Sequence, residues 1–269
     1  MIDAAAMIGT HDVLWVTLDT LRYDVAAEAL AAGLTPQLAR VLPGGRWERR
    51  HSPATFTYAA HHAFFAGFLP TPVTPGPHPR PFAARFAGSE TTVAQTAVFD
   101  ARDVVSGLAQ AGYHTVCIGG VGFFNKQTAL GSVLPGLFRE SHWRVELGVT
   151  DARSTQNQVE LAGRIIAELD PDRRLFLFLN VSAIHQPNCI FVPGATEDNP
   201  RTMAAALAYA DHWIGVLFQR MRRRAAVLAV VCSDHGTAYG EGGFRGHRLA
   251  HPVVWDVPYA EFVLERGSA

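Results

Sequence analysis

A carboxylate and an imidazole stand side by side in Val230-Val231-Cys232-Ser233-Asp234-His235-Gly236, where the apolar run 226–231 stops. Such a β-branched run reads as a buried strand, and open α/β sheets place their chemistry at the carboxyl ends of strands. Adjacent oxygen and nitrogen donors there suit one divalent metal; the plainer alternative is a pair that only caps a strand. Twelve residues after His235, beyond the glycine-rich loop 237–244, comes His247, and a polar loop bracketed by histidines is harder to explain as scaffold. A second carboxylate, Asp19, directly follows the apolar run 13–18. A third histidine, His185, follows the run 175–181 and precedes Gln186-Pro187. Thr57 opens a stretch that reads as a helix from 58 to the glycine stop at Gly67. A hydroxyl in that place usually caps the helix, but a nucleophile would gain from the free N–H groups and the helix dipole. Asp19, Thr57, Asp234 and His235 therefore form a candidate metal set. Two carboxylates, a hydroxyl and an imidazole favour zinc, or manganese, over calcium or magnesium. His61, Lys126, Glu241 and His251 are further candidates for a second metal or for substrate, beside His185 and His247; each has a structural explanation as well.

These residues need a frame that brings distant strand ends together. Apolar runs at 13–18, 114–118, 175–181 and 226–231 alternate with helical patterns at 25–32, 103–112, 154–169 and 202–220. That alternation predicts an α/β sandwich with a mostly parallel central sheet between helices. Asp24 is the expected N-cap of helix 25–32, Thr35-Pro36 starts a short helix, and 258–264 returns a last strand. The proline-rich stretch 69–82 reads as an extended loop, either a lid over the site or a surface connection. The run 119–126 lacks the third glycine of a dinucleotide fingerprint and is a tight turn. Arg46 to His51 is a charged edge, and Arg222-Arg223-Arg224 is expected to be a solvated helix end suited to the dipole. With no repeat and no evident linker, residues 1–269 are expected to form a single catalytic domain.

Composition sets outer bounds. The 269 residues are 48% hydrophobic and 17% charged with a net charge of −1, the balance of a globular enzyme. Near-neutral charge offers nothing to nucleic acid. No apolar run reaches the length of a membrane span, and the first ten residues lack a signal peptide's basic start. Cys117, Cys189 and Cys232 fall in no metal or redox spacing. A cytoplasmic protein acting on a small molecule is the expectation.

Taken together, Leu18-Asp19-Thr20-Leu21-Arg22-Tyr23-Asp24, Thr57 ten residues before Gly67, His185-Gln186-Pro187 and Ser233-Asp234-His235-Gly236 resemble the alkaline phosphatase/sulfatase superfamily. Tyr209-Ala210-Asp211, Ile214-Gly215 and Val257-Pro258 resemble the sulfatase pattern. Asp19-Thr20-Leu21-Arg22 and the spacing to His247 resemble the catalytic domains of lipid A phosphoethanolamine transferases. The resemblance implies an alkaline phosphatase-like fold and metal-dependent cleavage of a phosphate ester through a covalent phospho-threonine at Thr57. His185 and His247 would serve the phosphoryl group or a second metal. Phosphodiester or phosphonate-ester cleavage, phosphotransfer, or an inactive metal-binding protein on the same fold are the alternatives. Two departures matter. Sulfatases make formylglycine from Cys or Ser, and here the corresponding residue is Thr57; the Asp that precedes a second-metal His by four residues in alkaline phosphatase is Val181 here. The missing formylglycine precursor predicts that phosphate esters are turned over faster than sulfate esters with the same leaving group. Faster sulfate turnover in a matched kinetic panel would refute this.

Overall fold

The computed structural model describes residues 2–67 and 103–267. Its centre is a seven-stranded sheet. In chain order the strands are β1 (Asp12–Leu18), β2 (Glu48–His51), β3 (His114–Ile118), β4 (Glu140–His142), β5 (Leu175–Val181) and β6 (Val227–Cys232), then the two-residue pair β7 (Ala238–Tyr239) and β8 (Arg245–Gly246), and β9 (Asp256–Leu264). The spatial order is β2-β9-β6-β1-β5-β3-β4, with β7 and β8 paired apart from it. Neighbours from β6 through β4 run parallel, whereas β9 is antiparallel to both β6 and β2. The expected mostly parallel α/β sheet is present, and its continuous apolar strands are what burial on both faces demands.

Side-chain parity decides what each face receives, because successive residues of a strand point to opposite faces. Leu14, Val16 and Leu18 of β1, the odd-numbered residues 175–181 of β5, and Val227, Ala229 and Val231 of β6 enter one core. The helices Tyr23–Ala31, Ser154–Glu168 and Pro200–Arg224 cover that core. Val13, Phe176 and Phe178 face the other side with Phe65 of the helix Thr57–Ala66 and Val105 and Leu108 of the helix Val104–Gln110. Trp15 belongs to this second face, with its ring against Phe64 and Phe65 and its indole N–H 3.4 Å from Cys232 Sγ. Continued past the strand ends, the same parity sends Asp19 and Asp234 toward the helix that begins at Thr57.

Several local expectations change in the structure. The helix expected at 25–32 runs from Tyr23 to Ala31, with Asp24 in its first turn rather than at its N-cap. The Asp24 carboxylate accepts instead from Arg22 and from the Val25 N–H. The helix expected at 202–220 runs Pro200–Arg224, begun by an Asn199–Thr202 capping box. The charged stretch at 46–51 contains the exposed edge strand β2, a run of charge that discourages edge-to-edge pairing. The short helix Pro36–Ala39 is capped across the fold: the buried Asp211 carboxylate accepts from the N–H groups of Gln37 and Leu38 at 3.0 and 2.8 Å. The proline-rich stretch 69–82 lies outside the described residues. Among the described residues no helix is long and apolar enough to cross a membrane.

Arg224 is the largest departure, since it is not solvated. At the amino-terminal edge of the sheet its Nε donates to the fully buried Asp12 at 3.0 Å, and its guanidinium also reaches the carbonyls of Leu169, Asp170 and Arg173. The other Asp12 oxygen accepts from the Leu175 N–H at 2.9 Å, so one carboxylate joins β1, β5 and the end of a 25-residue helix. Burial pushes the Asp12 carboxyl up, against the pull of that N–H and of Arg224 and Arg174. Removing one partner of a buried pair strands the other charge, at a cost of about 3–5 kcal/mol. Arg224→Met leaves Asp12 with Arg174, at 3.5 Å, as its remaining cation, and should lower stability by up to about 3–5 kcal/mol in denaturant titration while metal content stays that of the wild type. Adding Asp12→Leu should recover part of the loss; an unchanged midpoint in the single variant would refute the staple.

Candidate metal centre and active site

Strand register brings the chemistry together. Leu18 lies opposite Val181, and Thr17 lies opposite both Asn180 and Cys232, so β5, β1 and β6 end side by side. The turn after β1 is tight: the Asp19 N–H donates to the Val181 carbonyl at 3.2 Å, and Thr20 takes φ 68°. That left-handed conformation is unfavourable for a β-branched residue and is typical of functional turns. In return the Thr20 N–H reaches Asp234 Oδ1 at 3.1 Å, and its hydroxyl donates to Asp19 Oδ1 at 2.8 Å. Gly236 holds the other side. A Cβ there would lie 2.0 Å from the Val253 carbonyl oxygen, so only glycine permits the close approach that fixes the residue after His235.

One oxygen or nitrogen from each of Asp19, Asp234 and His235 lies within 4.8 Å of the others, and all three residues are fully buried. The His235 Nδ1–H donates to the Gly236 carbonyl at 2.8 Å, which leaves the Nε2 lone pair facing the cluster. Asp234 Oδ1 accepts the N–H groups of Thr20 and His235, whereas Oδ2 is buried with no hydrogen-bond partner, 3.6 Å from His235 Nε2 and 3.8 Å from His61 Nδ1. Burial and the Asp19 charge push the Asp234 carboxyl well above the usual range. Burial acts upward on Asp19 too, but His185, His235 and the hydrogen bonds from Asn180 and Thr20 outweigh it and hold it low. An orphaned carboxylate oxygen, a second carboxylate and a correctly turned imidazole fit a divalent cation.

Thr57 is the first residue of the helix Thr57–Ala66. Phe56 occupies the N-cap, and no side chain makes a capping bond, so the expected N-cap role of Thr57 is not what its hydroxyl does. Buried, its Oγ1 lies 3.2 Å from His235 Nε2. His61, one turn later, sits beneath it: Nδ1–H donates to the Thr57 carbonyl at 2.7 Å, and Nε2 accepts from the Thr17 hydroxyl at 3.3 Å. Burial pushes the His61 imidazole down to about 4, so it is a neutral support with both nitrogens occupied.

His185 and His247 border the cluster on its open side. Their ring centroids are 6.0 Å apart, and those of His247 and His235 are 4.6 Å apart. His185 commits its Nδ1–H to the Gln186 carbonyl at 2.7 Å, leaving Nε2 uncommitted. His247 Nδ1 is buried without a partner, and burial together with His235 and His185 pushes its imidazole down to about 4. Thr57, His185 and His247 line one cleft of about 400 Å³. The remaining candidates lie elsewhere. Lys126 donates to the Ser141 carbonyl at 3.0 Å; Glu241 pairs with Arg22, which holds its carboxyl down to about 2 against the effect of burial; His251 caps the helix Pro252–Trp255 by accepting from the Val253 N–H.

Two participants escape the motif search. Asn180 donates to Asp19 Oδ2 at 2.9 Å while its Oδ1 accepts from Gly120 and Val121, tying the turn after β3 to the cluster. Its signal is the lone amide in the apolar run Leu175–Val181. Arg248 lines the cleft beside Thr57, and only its adjacency to His247 marks it.

The Sulfatase family model matches residues 11–259. Among solved structures, the C-terminal periplasmic domain of phosphoethanolamine transferase EptC from Campylobacter jejuni superposes with a TM-score of 0.64 at 13% identity, over 94% of this chain and 80% of that one. The corresponding domain of EptC from Escherichia coli, solved in complex with Zn, gives 0.65 at 13% identity over 96% and 74%. A protein in the alkaline phosphatase superfamily from Vibrio parahaemolyticus gives 0.56 at 17% identity over 96% of this chain and 61% of that one. No curated protein sequence matches. The likeness is one of fold, which is alkaline phosphatase-like.

Two buried carboxylates without a cation repel each other, and this predicts opposite effects from one substitution. In Asp234→Asn, metal content measured by elemental analysis should fall from about one ion per chain toward zero. The metal-free variant should melt no lower than metal-free wild type. Full metal retention in the variant would overturn the site.

Proposed function

Because the chain belongs to the sulfatase family of the alkaline phosphatase superfamily, we propose that it is a metal-dependent phosphoric ester hydrolase with Thr57 as its nucleophile. The observation that carries this is the Thr57 hydroxyl, 3.2 Å from His235 Nε2, at the start of a helix, and spent on no cap. Asp19, Asp234 and His235, with the Thr57 oxygen, would hold zinc or manganese, whose positive charge would ease loss of the Thr57 proton at neutral pH. Thr57 releases its proton to solvent, and its oxygen attacks phosphorus in line as the P–O bond to the alcohol breaks. The helix N-terminus faces the charge that grows on the phosphoryl oxygens. His185, whose Nε2 is uncommitted, passes a proton from that nitrogen to the departing oxygen. A water then returns a proton to His185 while its oxygen displaces the Thr57 oxygen from phosphorus, and that oxygen takes a proton back from solvent to restore the hydroxyl. His247, neutral in the free protein, holds a phosphoryl oxygen or takes part in a second metal site. The likeness to phosphoethanolamine transferase domains favours one further reading, in which an alcohol replaces the water as acceptor. The three free cysteines accord with a reducing, cytoplasmic compartment.

Thr57→Ala should lower kcat/KM for a phosphomonoester by about a thousandfold or more. Stability should change by no more than about 1 kcal/mol, because the hydroxyl makes no capping bond. Thr57→Ser should keep a substantial part of the rate. An alanine variant that is fully active would remove Thr57 from the chemistry.

A further inference from the structure

The cleft that holds Thr57 has a mixed lining, in which Thr128, His185, His247 and Arg248 are polar or charged and Val121, Phe123, Leu130 and Val149 form the apolar wall. Among the described lining residues none is acidic. Arg248 is an exposed residue whose guanidinium contacts an aromatic ring rather than a counter-ion. Its backbone takes φ 68°, its N–H donates to the Thr55 carbonyl at 2.8 Å, and its guanidinium lies over the Phe56 ring at 5.4 Å. No carboxylate among the described residues pairs with it, whereas the interior Arg22 and Arg224 are both paired with acids. The apolar wall is itself stiffened by aromatic contacts, with Phe123 against the same Phe56 ring and against Tyr58 at ring distances of 6.3 and 5.5 Å.

Resting on the reading of Thr57 as a phosphoryl acceptor, we propose that this cleft selects phosphate esters with an uncharged, apolar alkyl or aryl leaving group and rejects those with an ammonium, such as phosphoethanolamine. An unpaired guanidinium attracts phosphoryl oxygens and repels a second cation nearby. The apolar wall releases water when it meets hydrocarbon, but it offers nothing to replace the hydration of an ammonium.

Two phosphonates that cannot be cleaved as esters isolate the effect: 3-aminopropylphosphonate, an isostere of phosphoethanolamine, and butylphosphonate, which carries a methyl group in place of the ammonium. Calorimetric Kd values on zinc-loaded wild-type protein should favour butylphosphonate by about tenfold or more. Leu130→Glu, which places a carboxylate in the apolar wall, should erase or reverse the preference, and Arg248→Ala should narrow it. Equal affinities in the wild type, or tighter 3-aminopropylphosphonate, would overturn the selectivity while leaving Thr57 chemistry intact. Butylphosphonate binding no tighter than inorganic phosphate would likewise overturn it, since the wall would then contribute nothing. Failure of the zinc-loaded protein to bind inorganic phosphate or to turn over any phosphate ester would instead remove the underlying hydrolase reading, and the selectivity with it.

Discussion

Two carboxylates meet with no access to water, and most of the site is arranged around that fact. Asp19 and Asp234 end neighbouring parallel strands, and both are fully buried. Left to themselves they would drive a proton onto one of the pair, which is the direction in which Asp234 is pushed. The structure stabilises Asp19 with an amide and a hydroxyl, and Asp234 Oδ1 with two backbone N–H groups. Asp234 Oδ2 remains unanswered. The strained Thr20 turn, the invasive closeness at Gly236 and the fixed tautomer of His235 all follow from holding that incomplete arrangement open toward Thr57.

Parity is the device that makes the meeting possible. Side chains of β1, β5 and β6 alternate between two cores, and the face that carries Trp15, Thr17 and Asn180 is the one the helix Thr57–Ala66 packs against. A one-residue slip of any strand would send its terminal donor to the opposite face. The large aromatic residues around Phe65, Phe124, Phe138 and Phe178 therefore support the register on which the chemistry depends, and three of them reach the site through the His61 ring beneath Thr57.

How much of this was legible follows from how local each signal is. Val13 to Leu18 and Val227 to Val231 declare buried strands by composition, and a carboxylate that ends such a run is visible at once. Asp19, Asp234 and His235 were accessible for that reason, and the structure brings them together. The alternation of strands and helices carried the fold class. Arg224 was misjudged because three consecutive arginines at a helix end look solvated, and only the tertiary position of Asp12 shows that the last of them turns inward. Asp24 resembled an N-cap, yet Arg22 claims it, and the Thr57 hydroxyl looked like a cap until the helix start shifted by one residue. Arg248 offered no signal of its own: a lone arginine in a polar loop acquires meaning only from the cleft it lines.

The Asp12–Arg224 staple lies at the amino-terminal edge of the same strands whose other ends carry Asp19 and Asp234. Strand length thus insulates the clamp on the register from the loops that meet a substrate. Mutational drift in the cleft, whether at Phe123, Leu130 or Arg248, can proceed without loosening the frame, while the frame tolerates little. A scaffold divided in this way is suited to diversification: new specificities can arise by changing one rim of the sheet, with the opposite rim supplying the robustness that lets such variants survive.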